Sequence, residues 1–121
     1  MLLVTSNKFR QLLYVRYVGQ VRPKEFQRGR EDLVAQLGEL PAGFRLLADF
    51  SQLESMKLDC EPELGRIMEM IGRAGVALVV RVIPDPSKDI GMNILTAFHY
   101  PHRPRVVGCQ NLIEAARVLG L

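Results

Sequence analysis

Two compact, largely apolar runs constrain this chain most: FRLLADF, residues 44 to 50, and VALVVRVI, residues 76 to 83. A strand with one face in water alternates apolar and polar residues. A run without alternation fits a strand covered on both faces, as in parallel sheets. Between the two runs, Leu64, Ile67, Met68 and Ile71 recur at helical spacing from about Glu61 to Arg73. Strand, helix and strand in that order imply a right-handed crossover onto one sheet.

The pattern extends both ways. From Pro23 to about Leu40, Phe26, Leu33, Val34, Leu37 and Leu40 form a second helical stripe, with Pro23 in the first turn and Pro41-Ala42-Gly43 as the stop. Before it, Leu13, Val15 and Tyr17 alternate with Leu12, Tyr14, Arg16 and Val18 up to Gly19, which reads as a strand. MLLVTS supplies an antiparallel partner through a turn at Asn7-Lys8. After Pro84-Asp85-Pro86, Ile90, Ile94, Leu95 and Phe98 predict a third helix. RVVGC, residues 105 to 109, predicts a last strand, and Asn111 caps a closing helix carrying Leu112, Ala115, Ala116 and Leu119. The expected architecture is α/β, in the order ββαβαβαβα, with a mixed, mostly parallel sheet and about four helices. At 121 residues it is expected to be one domain, 1–121.

Charge and cysteine content narrow the function classes. The net charge is +3, yet Arg22, Lys24, Arg28 and Arg30, like His102, Arg103 and Arg105, form short groups without aromatic interleaving. That pattern suits a solvated face, and no nucleic-acid partner is expected. Cys60 and Cys109 form neither a disulfide framework nor a metal spacing. His99 and His102 are separated by Tyr100-Pro101, so no shared helical face holds them, and neither metal nor cofactor is expected. No run is long enough for a membrane span, and a cytoplasmic location is expected.

The stretch SMKLDCEPELGRIMEM, residues 55 to 70, gathers a cysteine, acids and a proline where a loop becomes a helix. Unpaired N–H groups and positive partial charge at a helix start suit Asp59, Glu61 and Glu63. Asp59 is expected to cap the helix, and Pro62 to sit where no N–H is needed. Cys60 beside a helix start is a candidate reactive thiol, but the three acids oppose a thiolate. Met70 falls off the apolar stripe of its helix, and with Met56 it is a candidate apolar contact.

Three stretches carry a resemblance: YVRYVGQV, a strand ending in glycine; FRLLADFSQLESMKLDCEPELG, a strand ending in aspartate, then a loop and a helix start; and the closing NLIEAARVLG. The chain resembles the STAS and SpoIIAA-like families, the anti-sigma factor antagonists and their relatives, over nearly its whole length. The resemblance implies a non-enzymatic regulatory module whose partner is an anti-sigma factor or kinase-like protein. In phospho-regulated members an Asp-Ser pair opens the second helix. Here the matching place reads Asp59-Cys60-Glu61, without serine or threonine, and Glu61 supplies less charge than a phosphoserine.

The leading expectation is a protein-binding face formed by Asp49, Ser51, Asp59, Cys60 and Glu61, with Met56 and Met70 as apolar contacts. A second reading is a carrier of a small apolar or lipid-like ligand lined by Met92, Phe98 and Tyr100. A third is a thiol enzyme or redox sensor using Cys60. Homo-oligomerisation is open in all three.

Overall fold

We describe residues 1–83, 100, 101 and 103–121 of a computed structural model. The helix expected through Ile90, Ile94, Leu95 and Phe98 lies outside these residues, as do Met92, His99 and His102. The elements run β1 (Leu2–Asn7), β2 (Leu12–Tyr17), β3 (Gly19–Val21), α1 (Pro23–Leu37), β4 (Arg45–Asp49), β5 (Leu53–Met56), a 3-10 turn (Leu58–Cys60), α2 (Glu61–Arg73), β6 (Leu78–Val82), β7 (Arg105–Cys109) and α3 (Leu112–Leu119).

The main sheet has the order β1-β2-β4-β6-β7, parallel except for the initial hairpin. Both apolar runs are therefore interior strands, which is why neither alternates. One face of the sheet carries Leu13, Val15, Tyr17, Leu46, Ala48 and Val79 and packs against α1 and α2. The other carries Leu12, Leu47, Val80, Val82 and Cys109 beneath α3. Phe26, Phe44, Leu13 and Leu33 are fully buried, each contributing about 1.5–3 kcal/mol of transfer free energy.

The structure departs from the sequence reading in its strands and in α1, which ends at Leu37 and not at about Leu40. A second sheet, β3 paired in parallel with β5, follows Gly19, whose φ of +69° lets the chain turn out of β2. Val34 is 62% exposed, because α1 faces the core with Phe26, Gly29 and Leu33 instead, and Gly29 lies directly on Leu2. Elsewhere α2 begins at Glu61, and α3 is capped by Asn111, whose Oδ1 accepts from the Glu114 N–H at 2.8 Å.

Candidate partner-binding face

The β3–β5 pair lies beyond β2 and β4 and delivers the chain to the 3-10 turn. Gly19 N–H donates to the Gln52 carbonyl at 2.9 Å, and Val21 pairs with Met56. From Met56 the chain enters the turn, where Cys60 N–H donates to Lys57 O at 3.0 Å. Turn and helix join without a break, so the first turn of α2 extends the same backbone.

Alternation of burial follows from that geometry. Cys60 is 1% exposed and points into the main core, where its thiol donates to the Val21 carbonyl at 3.4 Å. Leu58 is 85% exposed, and Lys57, Asp59, Glu61 and Pro62 also face solvent. Burial and the charges of Asp59 and Glu25 push the Cys60 thiol up. A buried, protonated thiol is a poor nucleophile, which is the opposite of what a reactive cysteine needs.

Asp59 does not cap α2. The capping position is Cys60, which makes no side-chain cap bond, because the preceding 3-10 turn already holds Asp59 inside a helical segment. The first-turn acids divide their tasks. Glu61 stays free on the surface, whereas half-buried Glu63 forms an ion pair with Arg30 of α1 and a second with Arg66 at 3.4 Å. The Arg30 pair ties α1 to α2.

Of the other expected site residues, Asp49 is 2% exposed and lies on the α3 side of the sheet, away from α2. Its carboxylate accepts from the Tyr14 hydroxyl at 3.1 Å and from Ser51 N–H at 2.9 Å, with Arg16 Nε at 3.8 Å. It fixes the end of β4. Ser51 is exposed in the following turn. Met56 and Met70 are half-buried and packed on the main core, so each offers only an edge to the surface. Met70 also sits nine residues beyond Glu61, roughly 13 Å along the helix. The structure thus brings Asp59 and Glu61 together on the surface and leaves Asp49, Cys60 and Met70 apart from them. Leu58 was missed because an apolar residue in a short turn has no periodicity to reveal which way it points.

Beneath Tyr100, the space lined by Leu64, Met68, Arg81 and neighbouring core side chains is about 20 Å³, room for about one water. Among the described residues, no group of three His, Cys, Asp or Glu gathers to hold a metal, and no helix is long and apolar enough to cross a membrane.

Solved structures decide the architecture. An uncharacterised protein of the DUF3478 family with a SpoIIAA-like fold, from Shewanella loihica PV-4, superposes with a TM-score of 0.73 at 13% identity, over 98% of this chain and 92% of that one. The chain has the SpoIIAA-like fold. The anti-sigma factor antagonist SpoIIAA in its unphosphorylated form gives a TM-score of 0.61 at 17% identity, over 100% of both chains. The Bacillus cell fate determinant SpoIIAA in its phosphorylated form gives 0.58 at 16%, over 98% of this chain and 99% of that one. No protein-family model and no curated protein matches the sequence. In this SpoIIAA-like fold the 3-10 turn and α2 follow β5 on the side of the sheet that α1 also covers, opposite α3.

Proposed function

We propose that this chain is a non-enzymatic regulatory module that binds a protein partner through the 3-10 turn and the first turn of α2. Leu58 carries the reading. A single exposed leucine is ordinary on a protein surface, but this one stands 85% exposed on backbone fixed from below by Cys60 and from behind by the β3–β5 pair. An apolar anchor ringed by Lys57, Asp59 and Glu61 has the composition of a small hot spot with a polar rim.

Likeness in fold to SpoIIAA, an anti-sigma factor antagonist, supports an anti-sigma factor or kinase-like protein as the partner class. SpoIIAA also has a phosphorylated form. At the corresponding helix start this chain has buried Cys60, without a hydroxyl, followed by exposed Glu61. Binding here is therefore proposed to be independent of phosphorylation at that place, with Glu61 a standing negative charge.

Affinity capture from a lysate with the wild-type chain, Leu58→Asp and Glu61→Ser tests this. One protein is expected on the wild type, lost with Leu58→Asp and changed in amount with Glu61→Ser. Equal retention by all three forms overturns the assignment to this face. A co-purifying small molecule with no protein partner would favour the carrier instead.

A further inference from the structure

The two edges of the main sheet are built differently. β7 follows Pro104 and opens on Arg105; proline and charge at an edge discourage pairing with another chain. β1 has neither: LLVTSN is six residues without charge, proline or glycine. Its register with β2 is unbroken from Leu2↔Tyr17 to Asn7↔Leu12, so no bulge turns the edge away.

Beside that edge lies an open groove of about 550 Å³, lined by Leu2, Leu3, Lys24, Glu25, Arg28 and Asp32. Its helical wall is α1, which runs in the same direction as β1: Gly29 rests on Leu2, and Ser6 Oγ donates to Gln36 Oε1 at 2.5 Å further along. Charge changes sign along this wall. The Met1 ammonium, Lys24 and Arg28 come first and Asp32 follows one turn later, while Glu25 is already engaged, accepting from Arg22 N–H at 2.9 Å and pairing with the Met1 ammonium at 3.4 Å.

We propose that β1 pairs antiparallel with β1 of a second copy of this chain, joining two five-stranded sheets across a two-fold axis. Reversal of one α1 relative to the other sets the basic end of each wall toward the acidic end of its twin. A partner of one charge sign would meet a repelling group somewhere on that wall. A second copy would not. On the other face of the strand, exposed Leu3 and Thr5 gain cross-strand neighbours.

Sedimentation over the micromolar range tests the pairing with four proteins: wild type, Leu3→Lys with Thr5→Lys, Arg28→Asp alone, and Arg28→Asp with Asp32→Arg. The wild type is expected to dimerise as concentration rises, and its β1 amides to exchange more slowly in step. Lysines on the strand should raise the dimer Kd at least about tenfold. Arg28→Asp should raise it too, and adding Asp32→Arg should restore it. A wild type that stays monomeric overturns the proposal, including one that takes up a foreign extended segment. So does a dimer whose Kd the strand lysines leave unchanged. Should the lysine variant fail to fold, the charge swap decides alone, and absence of rescue counts against the pairing.

Discussion

The Cys60 thiol donates to the Val21 carbonyl at 3.4 Å, tying the last residue before α2 to the last residue of β3. The two segments are far apart in sequence, and this bond with the β3–β5 ladder makes them one unit. Cys60→Ser keeps a donor in place but buries a hydroxyl, whereas Cys60→Ala leaves the carbonyl without this partner. Cys60→Ala is expected to lower stability by about 1–2 kcal/mol, read from the urea midpoint. Cys60→Ser should remain unmodified by a serine kinase while folded, because that side chain is out of reach.

Alkaline pH should weaken the fold through its thiols. Burial pushes both Cys60 and Cys109 up, so the folded chain holds these protons more tightly than the unfolded one. Their contribution is fully present below the unfolded thiol value of about 8.5 and is lost as pH rises through the folded values. Urea midpoints should be flat near neutrality and fall above that value. The double variant Cys60→Ala, Cys109→Ala should remove this part of the decline. An equal decline in that variant would assign it to other groups, such as buried Tyr17, whose hydroxyl is also pushed up by burial.

Asp49→Ala should be the costliest polar change at the sheet's C-terminal ends. It strips the acceptor from Tyr14 and from Ser51 N–H and removes the nearby countercharge of Arg16. The expected loss is about 2–4 kcal/mol in chemical denaturation, with Asp49→Asn milder because it keeps an acceptor oxygen. By contrast, Leu58→Asp should leave the denaturation midpoint within about 0.5 kcal/mol of wild type, since the leucine makes no core contact to lose. A large destabilisation there would refute its reading as a surface anchor.

Gly72→Ala sets helix propensity against packing. Alanine should favour the helix by about 1 kcal/mol, but a Cβ at this position would overlap Pro101 Cδ and lie 3.1 Å from Tyr100 Cα. Overpacking of this kind costs about 1–3 kcal/mol. The variant is expected to melt lower than wild type, with any rise in Tm showing that the 100–101 segment yields readily.

Arg45 ties the last turn of α3 to the turn between β1 and β2, donating to the Leu119 carbonyl at 2.5 Å and the Arg10 carbonyl at 2.8 Å. Arg45→Met keeps much of the stem and loses both bonds. Faster amide exchange in the last turn of α3 is expected, with the α2 amides unchanged.

Much of the fold was legible because its strongest signals are local. FRLLADF and VALVVRVI could not be half-exposed strands, and Glu61-Pro62 marked the start of α2. The β3–β5 pair was not legible: GQV and LESM are short, and LESM lacks an apolar alternation. Val34 was misplaced because nothing in the sequence reveals that Leu2 packs against the α1 backbone at Gly29. The same limit applied to the site. Asp49, Cys60 and Leu58 each needed the third dimension to show which way they point, and so the acid beside Cys60 was read as a cap and the leucine was passed over.

The small parallel pair of β3 and β5 has a consequence for how a partner would be met. Because the 3-10 turn leaves a hydrogen-bonded strand and runs directly into α2, its shape is set before any encounter, and little chain entropy remains to be lost on docking. Association on this surface should then proceed at the pace of ordinary rigid collision, without a folding step. Its heat-capacity change should report only the apolar area covered, as calorimetry at several temperatures would register.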